Sequence, residues 1–454
     1  MDEQLINDYK AFLDNGKTER ECVSQIVECA KKHGFVDLMS VEKVKAGDKV
    51  FVTKMNKAVA LFVVGSDPLE RGMNILGAHI DSPRLDVKQN PLMERDFICY
   101  LNTHYYGGIK KYQWVTLPLA IHGVVCKTDG TTVKINIGEK ADDPVFCISD
   151  ILPHLAQKQM KENASEFISG ESLDIIAGSM NPPKKDKKDE KSDEKKEEKE
   201  KKNTCKKAVM KLLKAQYGID EADFMSAELE IVPAGSSRDL GFDRSLILGY
   251  GQDDRSCAYT SFRALLDASA NERTACCICV DKEEIGSVGA TGMESHFFEN
   301  AVAELIDRMG NYSDLTLRRA LASSTMLSSD VNAAFDPQNA DLYDRDNASF
   351  LGAGIVFNKY TGSRGKYSAN DANPEFIARV RSILEKGEIP YQMSELGKVD
   401  QGGGGTIAYL AAKYGMDVID AGVPVLSMHA PWEITAKEDI YQAYNAYKAF
   451  LTLR

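Results

Sequence analysis

Acidic and histidine side chains recur in this sequence at the ends of apolar runs that resemble buried strands, or just before a predicted helix. The positions are His79 and Asp81 in GAHIDSPRLD, Asp253 and Asp254 in DDRSCAY, Glu283 and Glu284 in DKEEIG, Asp330 in SSDVNAAFDP, and His429 in MHAPWE. Because polar groups at strand ends meet at one edge of an α/β sheet, we expect these side chains to lie together.

Two histidines and three acids from different elements form a set of mixed nitrogen and oxygen donors. Such a set suits two zinc or similar divalent ions that share one carboxylate. A further carboxylate is then needed to accept a proton from the attacking water. The adjacent pair Glu283 and Glu284 supplies both functions, one glutamate holding metal and the other acting as base. Two nearby cations would offset the repulsion between them.

Each position taken alone also has a purely structural interpretation. A histidine at a strand end is often a hydrogen-bonded structural residue. Asp253 or Asp254 would cap the helix that follows, and Asp330 would close an Asx turn. Glu283 and Glu284 would lie on a solvated turn. The metal interpretation therefore depends on all of these positions occurring together.

The elements that must carry these side chains alternate between strand and helix from about residue 237 onward. The predicted helices are 255–268, 295–309, 373–386, 405–414 and 435–452. The predicted strands are 274–281, 324–329, 353–358, 416–420 and 424–428. With strand-like KAVALFVVG and MNILGAHID near the start, and a capped helix beginning after Thr18, the pattern predicts an α/β/α fold around a mixed sheet.

Between about residues 88 and 236 the pattern becomes mainly β. The stretch AIHGVVCKTDGTTVKINIG predicts a hairpin that turns at Asp129–Gly130, and one helix-like stretch follows Asp150. We therefore predict a discontinuous α/β catalytic domain, residues 1–87 and 237–454, and an inserted β-rich domain, residues 88–236. Within the insert, a Lys/Glu-rich run near 183–203 has no apolar residue to bury and predicts a disordered loop of unknown role.

Composition excludes several classes of protein. The chain has 454 residues, 43% of them hydrophobic, which is enough for two or three domains. A formal net charge of -12 makes nucleic acid an unfavourable partner. The first residues lack the layout of a signal peptide, and no apolar run is long enough to span a membrane. The sequence predicts a cytoplasmic protein with reduced cysteines.

The order of the motifs resembles the aspartyl aminopeptidase family. GAHIDSPRLD, DDRSCAY, DKEEIGSVGATG, SSDVNAAFDP and MHAPWE occur in the family's order, and the resemblance extends over nearly the whole chain, including RGKYSAN at 364–370. It implies two zinc ions per chain, with Co²⁺ or Mn²⁺ as alternatives. It also implies short peptide substrates with a free α-amine, and hollow tetrahedral dodecamers whose dimer contacts involve the inserted domain.

Carried over by motif, the resemblance implies a role for each site residue. Asp253 would bridge two ions. The remaining ligands would be His79 and Asp330 for one ion, and Glu284 and His429 for the other. Glu283 would be the general base, and Asp81 would orient His79.

The chain departs from aspartyl-specific members after the metal-binding aspartate. Where those members carry histidines, DVNAAFDP has Asn332 and Asp336. An acid near the substrate pocket would repel an acidic first residue, so the sequence predicts a preference for neutral or basic N-terminal residues. The other predicted substrate-binding residues are Arg364, Lys366, Tyr367, Gly403 and Gly404, the two glycines in a turn that would line the cleft.

Two other functions are compatible with such a set of residues. Another dinuclear-metal amidohydrolase, such as a carboxypeptidase or an N-deacylase, would use the same metal centre on a different substrate end. A non-catalytic shell protein of the same fold would be expected to have replaced a ligand or the base. Because all five ligand positions and Glu283 are present, the sequence favours the aminopeptidase.

Overall fold

The computed structural model describes residues 2–179, 204–268 and 272–454. The predicted Lys/Glu loop near 183–203 lies outside these residues. The chain divides into two compact units, one formed by Met1–Ser82 with Ser236–Arg454 and the other by Pro83–Gly235. The predicted boundary after residue 87 falls inside a strand, Arg84–Arg95, which belongs entirely to the second unit.

The α-helices of the described chain are α1 (Glu3–Asn15), α2 (Glu19–Lys32), α3 (Thr204–Tyr217), α4 (Gln252–Leu266), α5 (Phe297–Arg308), α6 (Asp314–Ala322), α7 (Pro374–Lys386), α8 (Ala408–Ala412) and α9 (Lys437–Phe450).

The strands of the described chain are β1 (Val36–Asp37), β2 (Lys49–Lys54), β3 (Ala58–Val63), β4 (Met73–His79), β5 (Arg84–Arg95), β6 (Ile98–Tyr106), β7 (Leu119–Cys126), β8 (Thr132–Ile137), β9 (Ile175–Ser179), β10 (Ala227–Pro233), β11 (Arg238–Leu240), β12 (Leu246–Gly249), β13 (Thr274–Val280), β14 (Thr325–Ser328), β15 (Asn332–Ala333), β16 (Ile355–Asn358), β17 (Tyr391–Met393), β18 (Asp417–Gly422), β19 (Pro424–Leu426) and β20 (Glu433–Ala436).

The first unit is built on a nine-stranded sheet in the order β1-β2-β3-β13-β4-β14-β18-β16-β17. Its centre is parallel, because β4 pairs in parallel with both β13 and β14, and β14 with β18. Strands β3 and β16 run antiparallel to their neighbours β13 and β18, so the sheet is mixed, as predicted. Every residue of β3, β4 and β13 is buried, which is typical of strands covered on both faces.

Two hydrophobic cores lie on opposite faces of this sheet. Successive residues of β13 alternate between them, with Cys277 in one core and Cys276 and Ile278 in the other. Helices α1, α2, α4, α7 and α9 contribute to the first core, and α5, α6 and α8 contribute to the second. This layering confirms the predicted α/β/α fold.

A smaller, five-stranded sheet in the first unit has the order β11-β12-β20-β19-β15. Strands β19 and β20 are antiparallel and are joined by the segment 427–432, which contains His429. Strand β12 pairs with β20 and leads directly into α4, where Asp253 lies. The small sheet therefore holds the segments of two predicted metal ligands side by side.

The second unit contains a six-stranded sheet in the order β8-β7-β10-β5-β6-β9, in which neighbouring strands are antiparallel. The predicted hairpin around Asp129–Gly130 is present as β7 and β8. The residues directly after Asp150 form short 3₁₀ turns, Pro153–Leu155 and Gln159–Lys161, instead of the expected helix. An α-helix of this unit, α3, begins later, at Thr204.

In the part of the chain that the structure describes, no helix combines the length and apolar character needed to cross a lipid bilayer.

Candidate active site

Three adjacent parallel strands deliver predicted site residues to the same edge of the large sheet. Strand β4 ends at His79, β13 is followed by Glu283 and Glu284, and β14 is followed by Asp330. The order β13-β4-β14 makes these strand ends neighbours. The carboxyl edge of parallel strands is where α/β folds assemble their sites, because loops from several strands converge there.

Asp253 lies at the start of α4, where its backbone is not helical, and it faces two histidines at once. The Nε2 atom of His79 is 3.3 Å from Asp253 Oδ1, and the Nε2 atom of His429 is 3.2 Å from Asp253 Oδ2. The Asp253 side chain therefore points to the histidines rather than capping its own helix. Each of its oxygens is directed at a different predicted metal site.

The donor atoms form two groups of three that share Asp253. One group is His79, Asp253 and Asp330, and the other is Asp253, Glu284 and His429, with the atoms of each group within 4.8 Å of one another. Two ligands of a single zinc ion lie at most about 4.2 Å apart, since each bond is close to 2.1 Å. Small side-chain adjustments would therefore bring either group to coordination distance.

Electrostatics also favour cations at this position. Burial, followed by the Asp253 charge, raises the pKa of Glu284 well above its usual value, and burial with Asp254 does the same for Asp330. The Oε1 atom of Glu284 is buried and makes no hydrogen bond in the structure. Acids crowded together in this way are costly to ionise unless positive charge lies between them. The residues present fit zinc.

His79 and Asp253 stabilise each other's charged forms, and His429 adds to the effect on Asp253. Burial opposes ionisation of Asp253, but hydrogen bonds from His429 and His79 outweigh it and lower its pKa. Burial likewise opposes protonation of His79, yet bonds to Asp253 and Asp81 raise its pKa overall. The shared aspartate is therefore an anion under ordinary conditions, as a metal ligand must be.

Asp81 connects the His79 strand to the glutamate turn. It is fully buried, and one of its oxygens lies 3.3 Å from His79 Nδ1. Its two carboxylate oxygens also accept the backbone N–H groups of Glu283 and Glu284, each at 3.2 Å. Asp81 thus contacts the ring nitrogen of His79 that faces away from Asp253, and it fixes the turn that carries both glutamates.

Glu283 lies beside the donor cluster but belongs to neither group of three. It begins a short 3₁₀ turn, Glu283–Ile285, between Lys282 and Gly286, both in the left-handed region at φ 67° and 95°. Burial raises the pKa of Glu283 to about 7, while the charge of His79 opposes that rise. A carboxyl group of this kind can both accept and release a proton near neutral pH.

A close backbone contact sets the position of Asp330. A Cβ atom on Gly422, at the end of β18, would lie 1.8 Å from the Asp330 carbonyl oxygen and 3.1 Å from Cys257 Sγ. Only glycine allows this approach without moving the backbone of the ligand. The glycine therefore contributes to the site without carrying a side chain.

The predicted substrate residue Asp336 caps a short 3₁₀ helix. Its Oδ1 accepts the Gln338 backbone N–H at 3.0 Å, and its Oδ2 accepts the Asn339 side-chain amide at 2.6 Å. Both carboxylate oxygens therefore have local partners in addition to any role toward substrate.

The other predicted substrate residues lie on exposed loops. Arg364 and Lys366 line a cavity of about 360 Å³ built from segments 360–366 and 395–402. Lys366 Nζ bonds Asp371 at 3.0 Å, and the Tyr367 side chain is 73% exposed. Arg364, Lys366 and Tyr367 do not belong to either group of metal donors.

The backbone of Gly403 and Gly404 packs against the backbone of the neighbouring loop at Gly362. A Cβ atom on Gly403, at φ 120°, would lie 2.0 Å from the Gly362 carbonyl oxygen. The Gly404 carbonyl accepts the Gly362 N–H at 2.7 Å. At Gly403 a larger residue would prevent this close approach of the two loop segments, whereas a side chain at Gly404 would meet open space.

Two buried acids lie beside the cluster: Asp254, which the sequence placed there without a role in the site, and Glu433, which the sequence missed. Asp254 accepts the backbone N–H of His79 at 3.3 Å, and Glu433 accepts backbone N–H groups from both Asp253 and His429. Glu433 is the last residue of the MHAPWE motif, so its distance of four residues from His429 can be read from the sequence. Its complete burial is what distinguishes it from an ordinary strand residue, and the sequence does not show burial.

A mixed carboxylate and imidazole cluster at the carboxyl edge of an α/β/α sheet, with a glutamate beside it, defines a zinc-dependent hydrolase. Residues 12–451 match the family model described as aminopeptidase I zinc metalloprotease (M18). The chain belongs to this family of aminopeptidases, which confirms the family and the enzyme class predicted from the sequence motifs.

Relatives and solved structures agree over nearly the full chain. A probable M18 family aminopeptidase 1 of Clostridium acetobutylicum is 56% identical, covering 98% of this chain and 93% of the relative. The crystal structure of an M18 family aminopeptidase from Thermotoga maritima matches with a TM-score of 0.93 at 45% identity, covering 100% of this chain and 96% of that one. The mApe1 dodecamer of S. cerevisiae shares the fold, with a TM-score of 0.76 at 19% identity, covering 99% and 96%.

Proposed function

We propose that this aminopeptidase binds two zinc ions per chain and removes the first residue of short peptides, preferring neutral or basic residues over acidic ones. His79 and Asp330 would hold one ion, Glu284 and His429 the other, and Asp253 both. Co²⁺ or Mn²⁺ would also suit these oxygen and nitrogen donors.

The position of Asp253 carries the two-ion proposal. Its two oxygens face different histidines at 3.3 and 3.2 Å, and it belongs to both groups of donors. A single-metal site would need only one of these groups. A carboxylate shared by two groups is the arrangement expected when two cations are held side by side.

Bound zinc ions would supply Lewis acidity, which activates water and polarises the carbonyl of the first peptide bond. The protein supplies the proton transfers. Glu283, with its pKa raised to about 7 by burial, accepts the proton of the attacking water and passes it to the leaving amine. Asp81 supports this step by holding the backbone N–H groups of Glu283 and Glu284.

Substrate selection is assigned to the loops that follow the metal ligands. Asp336 follows Asp330 along the chain and would repel an acidic first side chain. Arg364, Lys366, Tyr367, Gly403 and Gly404 are the further substrate-binding candidates. The cavity beside them is lined by both signs of charge, including Lys398 and Glu395, so it does not require an acidic ligand.

We also propose that the chain forms a homo-oligomer through its second unit, with a tetrahedral dodecamer as the expected form. The unit exposes apolar side chains that a monomer would ordinarily bury: Val145, Ile151, Leu152, Leu155 and Met160, the last 79% exposed. Light scattering would give the subunit number directly.

We propose a cytoplasmic location because the cysteines do not form disulfides. All ten are free, and most are buried. Unpaired thiols persist in a reducing compartment, whereas secreted proteins generally pair them.

The test of the function combines metal content with a peptide panel. Zinc per chain is measured by elemental analysis, and kcat/KM is measured on dipeptides beginning with Leu, Lys or Asp, each with a free or an acetylated N-terminus. We expect two zinc ions per chain, hydrolysis of the free peptides only, and lower kcat/KM for Asp. One ion per chain in the fully active enzyme would contradict the dinuclear site, and a clear preference for Asp would contradict the specificity.

A further inference from the structure

Glu433 joins two predicted metal ligands through their backbones. Its side chain is 1% exposed, its Oε1 accepts the His429 N–H at 2.8 Å, and its Oε2 accepts the Asp253 N–H at 3.0 Å. The two ligands come from different elements, the segment between β19 and β20 and the start of α4. One carboxylate therefore sets how far apart these two elements lie.

Both ligands need such support because their own backbones are irregular. His429 has a φ of 64°, in the left-handed region, and Asp253 departs from helical geometry within the first turn of α4. Neither residue is held by a regular ladder of hydrogen bonds, as His79 is at the end of β4. A small rotation of either backbone would move a donor atom out of reach of a shared ion.

Glu433 is itself fixed in place by the buried side chain of Gln252. The Nε2 atom of Gln252 donates to the Glu433 carbonyl at 2.7 Å, and its Oε1 accepts from Thr435 at 2.6 Å and from Tyr9 at 3.0 Å. Glu433 also pairs with Gly249 across β12 and β20. The Glu433 backbone is therefore held by the small sheet and by Gln252, and its carboxylate extends from that fixed point to the two metal ligands.

We propose that Glu433 is a positioning residue that sets the placement of Asp253 and His429, and through them the affinity of the site formed by Asp253, Glu284 and His429. This inference rests on the proposed two-ion function. Because His429 belongs to only one group of donors, loss of Glu433 should weaken that site more than the site of His79 and Asp330.

The Glu433→Gln substitution tests this with little change in volume. A carboxylate accepts on both oxygens, whereas an amide has one accepting oxygen and one donating nitrogen. The amide nitrogen would then face a backbone N–H, so one of the two bonds is lost. Substitution of a residue that orients metal ligands typically lowers metal affinity about 10- to 100-fold.

Asp439 provides a matched control. It is fully buried in the same unit, and its two oxygens accept the N–H groups of Gly352 at 2.7 Å and Gly354 at 2.8 Å. The Asp439→Asn substitution therefore removes the same kind of bond, from a backbone N–H to a buried carboxylate. This carboxylate holds a loop, whereas that of Glu433 holds metal ligands. Any general loss of stability should appear in both variants.

The experiment is a zinc titration of the full chain against a competing chelator, with the melting temperature of the metal-free protein measured alongside. For Glu433→Gln we expect one of two zinc ions to bind about 10- to 100-fold more weakly, and for Asp439→Asn we expect both affinities to stay within about twofold of wild type. If Glu433→Gln does not fold, Glu433→Asp replaces it, since the shorter carboxylate cannot reach both N–H groups.

Three results would overturn the inference. Wild-type zinc affinity in a folded Glu433 variant would show that the ligands do not depend on this residue. An equal loss of affinity in Asp439→Asn would assign the effect to general stability. A wild-type chain that binds fewer than two zinc ions would contradict the proposed function itself, and the inference with it.

Discussion

The metal-donor cluster and the loops at 360–404 differ in how their side chains are held. Donors such as His79 and Asp253 are buried and bonded to each other across different elements. In the loops, Arg364, Lys366 and Tyr367 are exposed, and the first two have backbones in the left-handed region, at φ 51° and 64°. The cluster is positioned by the sheet, whereas the loops depend on local contacts.

Under the proposed function, this difference separates the residues of the chemical step from those that select the substrate. Substitutions in the cluster should act on zinc binding and on the rate of the chemical step. Substitutions in the loops should change which peptide is preferred and leave zinc bound. Four predictions test that separation, beginning with the largest effect.

The Glu283→Gln substitution should lower kcat about 10²- to 10⁴-fold without loss of zinc, because an amide cannot accept the proton of water. Glu283 lies outside both groups of donors, so the metal should remain. The measurements are kcat on a Leu-terminated dipeptide and zinc per chain. Full activity in this variant would remove Glu283 from the mechanism, and loss of zinc would place it among the ligands.

The metal-free chain should lose stability as the pH rises. Burial raises the pKa of Glu283 from 4.5 to about 7 and raises those of Glu284 and Asp330. The folded chain then holds more protons than the unfolded chain, so the free energy of unfolding falls as pH rises from 4.5 toward 7. The loss should be about 1–3 kcal/mol. Asp253, with its lowered pKa, stays ionised throughout.

Zinc should reverse this loss, because it binds the deprotonated ligands. The rise in melting temperature on adding zinc should therefore be larger at pH 7.5 than at pH 5. Melting curves of the metal-free and zinc-loaded chain at several pH values measure it. A metal-free stability that does not change over this range would contradict the crowding of acids at the cluster.

The smallest effect is expected in the loops. Asp336→Asn should raise kcat/KM for Asp-terminated relative to Leu-terminated dipeptides about two- to fivefold, since it removes one partly exposed charge. Asparagine keeps the capping role, so stability should be unchanged. Asp344 caps the next 3₁₀ turn through bonds to Asp346 and Asn347, and Asp344→Asn is the matched control. An equal change in both variants would argue against a specific role for Asp336.

The sequence correctly predicted the site residues whose positions are set by regular strands and helices. Apolar runs followed by acids or histidines located β4, β13 and β14, and with them His79, Glu284 and Asp330. Helices α4, α5, α7 and α9 were predicted to within a few residues of their bounds. Helix α1 was missed although its signal was present, in the capping residue Asp2 and a helical spacing of apolar residues: Leu5, Ile6, Tyr9, Phe12 and Leu13.

The site features that the sequence did not predict depend on contacts between segments far apart in the chain. Glu433 lies in a short strand of the small sheet, and residues 435 and 436 of that strand were predicted as the beginning of a helix. Its two bonds join backbone groups far apart in the chain, which no local pattern shows. The approach of Gly422 to Asp330 is likewise a tertiary contact. The substrate roles of Asp336, Arg364 and Lys366 stay predictions, since exposed loop side chains take their function from ligands.

The placement of β13 between β3 and β4 has a consequence for how the protein is made. Strands β3 and β4 are consecutive in the chain, yet they flank a strand that is synthesised only after the whole second unit. During synthesis the central sheet cannot be completed until β13 has been made, and the predicted donors cannot come together until the segment carrying His429 has also emerged from the ribosome. Under the proposed function, the newly made chain therefore stays inactive until that segment has been synthesised.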